Sequence, residues 1–524
     1  MAKHSNRHTD FLETVAPILH WKGLPWLASI LFVSLYCSYL FARHHQLVVN
    51  DICGYAWMAL EEREGGLGRS TNSVIPAGYP ILLNLFHAVG LDYMTAGRVL
   101  TLIAAVPLLA FVWLGASLWC ELPWAGLLAW LLTATSYHVL LSLATPLPDT
   151  IALSMAMPLI ILVFKPAPSP RALFLAAFFA GLACGIRYVF IQSVVPLTAL
   201  LLLFSHPISW RKRICDGTMI LAGLVAGFLP ETIFAIRAGH IPFQNSSKEY
   251  LLMLTREADF LMTATQLRNM PSTFEYIMTH LGEILRAWAP AYLRGVAFFV
   301  LIPALIWWIS EQIGREANQE KIRPDIRRAL AALLIFEAVL LVPISLRQPL
   351  PYYVMPMLLC VSFMIAAIPI VKLAAINRLA FAFVIICLSD ISISQVRSAV
   401  LTLQHNPFVA RNSIIARELY GLGVRDSAEV LNLAAPFELY WPYGDKSPLL
   451  YYTGKEPGWI SLTNTLPHKR PFIYQITKDV LTRFRIVLKK PLSPELKNDF
   501  LSGFRLVKQI EGVQIYQQSA AGRD

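Results

Sequence analysis

The sequence predicts a polytopic α-helical membrane protein with a small α/β extramembrane domain at its C-terminal end. Of its 524 residues, 56% are hydrophobic and only 15% are charged, and the mean hydropathy is +0.54. A soluble globular protein has about 25% charged residues. Long apolar stretches recur up to residue 396, whereas the remainder of the chain alternates apolar and polar residues.

The apolar stretches predict about eleven transmembrane helices, since a span needs roughly 20 apolar residues and at least about 17. The predicted spans are residues 24–41, 96–119, 122–143, 148–164, 171–188, 189–205, 217–236, 293–310, 329–345, 352–371 and 378–396. The first stretch lacks a small-residue cleavage site before the next polar segment, so we expect it to remain as a helix. Residues 1–396 therefore form the predicted transmembrane domain.

The charge pattern predicts the orientation of these spans. The formal net charge is +11, and in a membrane protein basic loops indicate the cytoplasmic side and do not indicate nucleic acid as a partner. With the N-terminus inside, most of the Lys and Arg residues that lie in short loops fall in the inner loops, and the short outer loops are nearly free of them. The two long outer loops are then 42–95 and 237–292. We expect a bacterial inner membrane protein with its tail outside.

Residues 397–524 form the predicted second domain. Alternating apolar and polar residues predict strands at 428–433, 472–476, 483–488 and 513–516. Residues 412–420 and 494–501 are typical of helices. This length is sufficient for one small α/β domain.

The seven cysteines are widely spaced, and the predicted tail domain has none. They indicate neither a disulfide framework nor a structural zinc site. We expect no required cofactor, and the sequence leaves a divalent metal open.

Five short motifs follow one another along the chain. They are residues 50–55 (Asn-Asp-Ile-Cys-Gly-Tyr), 76–80 (Pro-Ala-Gly-Tyr-Pro), 96–98 (Ala-Gly-Arg), 146–150 (Pro-Leu-Pro-Asp-Thr) and 181–188 (Gly-Leu-Ala-Cys-Gly-Ile-Arg-Tyr). Their order and spacing resemble the GT-C glycosyltransferases, and among these the protein O-mannosyltransferases and the lipid A aminoarabinose transferases. The resemblance implies transfer of a sugar, with inversion, from a polyprenyl-phosphate carrier. The acceptor would be a lipid, a glycan or a protein at the outer face of the membrane.

The resemblance implies that Asp51 and Asp149 are catalytic carboxylates. Transfer with inversion needs a carboxylate that takes the proton from the attacking hydroxyl group. The alternative for each residue is a helix N-cap, a position at which Asp is favoured. The two interpretations are compatible.

Arginines are the predicted ligands of the carrier phosphate. Arg98, Arg187 and Arg347 lie near the outer ends of predicted spans, and Arg69 lies in the first outer loop. Guanidinium groups match phosphate oxygens in a bidentate manner. The alternative is that each side chain extends to the membrane surface.

Three further residues complete the predicted substrate site. Tyr55 closes the first motif, and Tyr353 lies in residues 352–356 (Tyr-Tyr-Val-Met-Pro), which resemble the family's Arg-Tyr-x-x-Pro motif with a short insertion after its arginine. Glu231 lies within a predicted span. It either takes part in the substrate site or pairs with an arginine such as Arg237.

Three other functions stay open. A transporter would also bury charges among apolar helices, but it should show broken helices at midplane and often related halves. Here the ionisable residues cluster at the outer ends of the predicted spans, and we find no inverted halves. A polyprenyl-linked glycan polymerase or ligase uses a similar donor. A non-catalytic membrane assembly factor is the third alternative.

Overall fold

The structure is a computed structural model. It describes residues 21–42, 75–120, 123–163, 168–188, 209–239, 378–404 and 417–422, the strands given below, and scattered positions within 55–71, 190–202 and 241–286. The helices are α1 (Leu24–Ala42), α2 (Gly78–His87), α3 (Tyr93–Cys120), α4 (Pro123–Ala134), α5 (Tyr137–Ala144), α6 (Asp149–Val163), α7 (Pro170–Ile186), α8 (Trp210–Arg237) and α9 (Arg378–Gln404).

Several of these helices can cross a membrane by length and composition. Within the described part of the chain, three are long and apolar enough: Thr95–Leu118 of α3, α8, and Ala382–Gln404 of α9. The bent pair α4 and α5 would make a fourth span, and α1, α6 and α7 are apolar but shorter. The predicted spans 293–310, 329–345 and 352–371 lie outside the described residues, so the number eleven stays a prediction.

The predicted span 122–143 consists of two helices, α4 and α5, whose axes differ by 62°. The break falls at Thr135 and Ser136. The Ser136 hydroxyl accepts a hydrogen bond from the backbone N–H of Val139 at 3.3 Å. A serine at this position satisfies an N–H group at a new helix start, which favours restarting the helix here.

Helices α7 and α8 pack against each other through glycines. A Cβ atom on Gly227 would lie 2.0 Å from the carbonyl oxygen of Phe178, and one on Gly181 would lie 2.4 Å from that of Leu224. Small residues let two apolar helices bring their backbones together. The close approach positions the end of α7 beside the C-terminal half of α8.

The short helix α2 contacts the end of α7 through its first residue, Gly78. A Cβ atom on Gly78 would lie 2.4 Å from the carbonyl oxygen of Gly185, near the end of α7. Leu83 is fully buried, whereas Leu85 is 60% exposed. Helix α2 therefore has one apolar face against the core and one that is exposed.

Helix α9 packs against α5. The backbone N–H of Tyr137 donates a hydrogen bond to the Gln395 side-chain oxygen at 3.0 Å. The Tyr137 hydroxyl lies 3.2 Å from the Thr402 hydroxyl. Helix α9 is longer than the predicted span 378–396. Its last turns thus pack on α5, which extends the helix beyond its most apolar part.

Strands occupy parts of the tail: β1 (Val430–Asn432), β2 (Leu439–Tyr440), β3 (Leu449–Leu450), β4 (Ile460–Ser461), β5 (Ile473–Tyr474), β6 (Arg485–Leu488), β7 (Phe504–Ile510) and β8 (Val513–Gln518). The largest sheet has the order β1-β6-β8-β7. Strand β1 pairs in parallel with β6, and the other pairs are antiparallel. The four predicted strands coincide with β1, β5, β6 and β8. The division into domains 1–396 and 397–524 stays a prediction.

Candidate functional site

Asp149 and Arg187 form a buried ion pair. The Arg187 Nε lies 3.4 Å from the Asp149 Oδ1, and the two side chains are only 13% and 4% exposed. The Arg187 guanidinium also donates a hydrogen bond to the Tyr55 hydroxyl. We call Asp149, Arg187, Tyr55 and the neighbouring Tyr79 the Asp149 cluster.

The local fold explains why these residues meet. Asp149 is the first residue of α6, and Arg187 directly follows α7 with an extended backbone (φ −149°, ψ 109°). Two consecutive packed helices with a short connection are antiparallel. The start of α6 and the end of α7 therefore lie at the same end of the pair. An acidic residue in the first turn is also favourable for the helix itself, so the cap and the site interpretations of Asp149 are both satisfied.

Tyr79 completes the cluster and is missing from the sequence-based site. Its buried hydroxyl donates to the carbonyl oxygen of Pro146 at 2.8 Å, and its ring meets that of Tyr55 edge-on at 5.0 Å. Burial, followed by the neighbouring Tyr55 and Asp149, raises the pKa of Tyr79 well above its usual value. Tyr79 thus stays a neutral donor that links α2 to the turn before Asp149. Its place in the motif at 76–80 was the available signal.

Glu231 lies next to this cluster, with three hydrogen-bond donors around its carboxylate. Oε1 accepts from the Thr71 hydroxyl at 2.6 Å and from the Tyr188 hydroxyl, and Oε2 accepts from the backbone N–H of Ala77 at 3.1 Å. Among the residues that the structure describes, these donors and no arginine contact the Glu231 carboxylate, so the alternative of a pair with Arg237 does not apply. Arg237 is exposed, and its position six residues along α8 directs it away from Glu231.

Arg98 lies near the start of α3, at the same end of the helices as the Asp149 cluster. It is half-buried. One turn later, the Thr101 hydroxyl donates to the Leu147 carbonyl oxygen at 3.5 Å. This contact brings the start of α3 next to the turn that precedes Asp149.

The structure thus brings together five of the predicted site residues: Asp149, Arg187, Tyr55, Glu231 and Arg98. The other four, Asp51, Arg69, Arg347 and Tyr353, lie outside the described residues and stay predictions. Among the residues that the structure describes, no three His, Cys, Asp or Glu side chains are grouped in a way that could hold a metal ion.

Comparisons of sequence found no relative. No protein-family model matches the chain, and no curated protein matches it significantly.

Comparison of structures found two matches, both to ArnT from Cupriavidus metallidurans. The structure bound to undecaprenyl phosphate superposes with a TM-score of 0.54 at 12% identity, over 94% of this chain and 98% of ArnT. The apo structure superposes with a TM-score of 0.50 at 12% identity, over 93% of this chain and 98% of ArnT. At this identity the likeness concerns the fold. It confirms at that level the resemblance inferred from the motifs: the chain has the fold of ArnT, a lipid A aminoarabinose transferase of the GT-C superfamily.

Proposed function

We propose that the protein is a membrane glycosyltransferase that moves a sugar from a polyprenyl-phosphate carrier to a hydroxyl group of a lipid, glycan or protein acceptor. The observation that carries this proposal is the buried Asp149–Arg187 pair at one end of apolar helices, in a chain that folds like ArnT. ArnT was crystallised with bound undecaprenyl phosphate, and this supports a carrier of the same class for the present protein.

Arg187 is suited to the carrier phosphate. A sugar phosphodiester carries one negative charge, and a second develops as the sugar leaves. A guanidinium that is already oriented stabilises this developing charge more than it stabilises the ground state. Asp149 and Tyr55 hold the Arg187 guanidinium in one orientation, so little reorganisation is needed when the phosphate arrives. Arg69, Arg98 and Arg347 are the additional candidates for this role.

The reaction is a single displacement at the anomeric carbon. The acceptor oxygen forms a bond to this carbon, the bond from the carbon to the phosphate oxygen breaks, and its electron pair leaves with the polyprenyl phosphate. A carboxylate takes the acceptor proton. Asp51 is the proposed base, and Asp149 is the second carboxylate at the site. One displacement inverts the configuration of the sugar.

We place the reaction at the outer face of a bacterial inner membrane. The support is the charge distribution in the sequence, which leaves the short outer loops nearly free of Lys and Arg. Membrane lipids surround the apolar helices, and the polyprenyl chain would lie between them.

The decisive experiment uses the purified full-length chain in liposomes. It is given a panel of undecaprenyl-phosphate sugars labelled in the sugar, with membrane extracts as the acceptor source. A glycosyltransferase releases undecaprenyl phosphate and yields an acceptor with one added sugar, and Arg187→Ala abolishes both. Intact donor in every assay would overturn the proposal.

The same assay separates the alternatives. A polymerase or ligase yields a ladder or a long transferred glycan in place of a single addition. A transporter moves the labelled lipid between leaflets without cleaving it. Either of these results would replace the proposed reaction.

A further inference from the structure

The Glu231 carboxylate is buried and surrounded by hydrogen-bond donors of the protein. It is only 4% exposed, and its partners Thr71, Ala77 and Tyr188 are equally buried. A buried carboxylate is costly unless hydrogen bonds compensate it. Here two hydroxyl groups and one backbone N–H do so. We call these four residues the Glu231 junction.

The junction caps helix α2 from another helix. Ala77 occupies the N-cap position of α2 and has no side chain that can accept a hydrogen bond. The Glu231 carboxylate of α8 accepts the N–H of Ala77 itself, which is the N–H group that a Glu or Gln of the first turn satisfies in a capping box. Negative charge at a helix N-terminus is favourable because of the helix dipole. The start of α2 is thus attached to α8.

The Glu231 junction is connected to the Asp149 cluster through two segments of the chain. On one side, Ala77 is two residues from Tyr79, whose ring packs on Tyr55. On the other side, Tyr188 directly follows Arg187. The Glu231 carboxylate therefore fixes both residues that meet in the hydrogen bond from Arg187 to Tyr55.

A second contact attaches the same loop to α8. The Gly68 backbone has φ +83°, and a Cβ atom there would lie 2.6 Å from the ring of Phe234. Only glycine fits this close approach with a left-handed backbone. Gly68 also donates its N–H to the buried Glu62 carboxylate. Gly68, Thr71 and Ala77 are therefore all held against one stretch of α8.

We propose that Glu231 is a positioning residue. It does not contact the substrate, and it sets the distance between Arg187 and Tyr55 by holding Thr71, Ala77 and Tyr188 together. This inference rests on the proposed glycosyl transfer for its effect on turnover, whereas the junction itself can be tested without any substrate. Misplacement of a reacting group by about 1 Å can cost on the order of 10²-fold in rate.

The first test is hydrogen exchange of the purified full-length protein, followed by mass spectrometry. Glu231→Gln keeps the side-chain volume but presents an amide group to one of three donors. Exchange in residues 75–80 should accelerate by about tenfold, as expected when a charge-assisted hydrogen bond is lost. Thr71→Val should give a smaller acceleration. Thr232→Val is the matched control, because the Thr232 hydroxyl donates only to its own helix at the Phe228 carbonyl.

The second test measures donor turnover in the same variants. Glu231→Gln should lower kcat by about 10- to 10²-fold with a small change in KM. Thr71→Ser, which keeps the hydroxyl, should restore the turnover that Thr71→Val loses. The effects of Glu231→Gln and Thr71→Val should be less than additive, because both act through one hydrogen bond.

These two tests distinguish failure of the Glu231 inference from failure of the proposed glycosyl transfer. If the wild-type chain transfers no sugar but Glu231→Gln accelerates exchange, the proposed function fails and so does the positioning role. If transfer occurs and exchange is unchanged in Glu231→Gln, the junction is refuted. If exchange accelerates while kcat is unchanged, Glu231 only stabilises the loop. A large rise in KM at constant kcat would make Glu231 a substrate ligand instead.

Discussion

Arg187 and Asp149 are joined by a contact of 3.4 Å between Nε and Oδ1 that connects the end of one apolar helix to the start of its neighbour. Neither residue is accessible enough for water to screen the pair. The guanidinium is held further by Tyr55, from a segment 132 residues away. A buried charge pair is costly to build, so its presence at one end of the helices supports the proposal that the site lies at this end.

Removing one partner of this pair should destabilise the protein. Arg187→Ala leaves the Asp149 carboxylate without its guanidinium, which costs about 3–5 kcal/mol for a buried pair. Adding Asp149→Asn should recover part of the thermal stability without recovering transfer. Unfolding of the detergent-solubilised protein, followed by intrinsic fluorescence, measures the first effect, and donor cleavage measures the second. Equal stability of the single and double variants would argue against the pair.

Asp51→Asn should abolish transfer while expression and membrane insertion stay near normal. Loss of a general base costs about 10²–10⁴-fold in rate. The matched control is Asp92→Asn. Asp92 accepts the Thr95 N–H at 3.1 Å at the start of α3, and Asn caps a helix equally well. Wild-type turnover in Asp51→Asn would refute its assignment as the base.

Arg347 should contribute to donor binding and to turnover. It precedes the motif at 352–356, where a polyprenyl phosphate would meet the membrane surface. Arg347→Lys keeps the charge but loses the planar fork, so it should retain some activity, whereas Arg347→Ala should lose more. Steady-state kinetics with varied donor distinguish the two. Unchanged donor kinetics in Arg347→Ala would leave Arg187 or Arg98 as the phosphate ligand.

Gly227→Ala should disturb the packing of α7 on α8. The added methyl group would lie 2.0 Å from the Phe178 carbonyl oxygen, and overpacking costs about 1–3 kcal/mol. The control is Gly217→Ala in the same helix, where the nearest atom is the Leu202 Cδ2 at 3.6 Å. The melting temperature should fall for Gly227→Ala and not for Gly217→Ala. A fall in both would indicate a general effect on α8.

The tail should lie outside the cell membrane. Protease added to intact spheroplasts should cleave residues 397–524 and spare residues 311–328, because the charge pattern places the latter loop inside. Lysed spheroplasts serve as the control, in which both regions should be cleaved. Cleavage of 311–328 alone in intact cells would reverse the orientation and place the site on the other face.

The sequence by itself determined the local elements. Apolar composition predicts membrane helices, because a helix satisfies its own backbone polar groups where no water is present. Apolar and polar residues that alternate with a period of 2 predicted strands β1, β5, β6 and β8, because this alternation is typical of a half-buried strand. The motifs also indicated Asp149 and Arg187 as site residues. The bend between α4 and α5 was not predicted, although Thr133, Thr135 and Ser136 interrupt the apolar residues there. Composition alone does not distinguish a few polar residues inside a straight span from a helix break.

Only the tertiary structure decided which side chains meet. Thr71 and Glu231, which form a hydrogen bond, are 160 residues apart. Tyr188 follows α7 and meets Glu231 of α8, and these two helices approach closely at Gly181 and Gly227. From the sequence, Glu231 was expected either to take part in the substrate site or to pair with an arginine, since buried charged residues are usually paired. Hydroxyl groups and a backbone N–H can satisfy the same oxygen atoms. Sequence patterns record the polarity of each residue along its own helix, but contacts between distant segments depend on packing geometry.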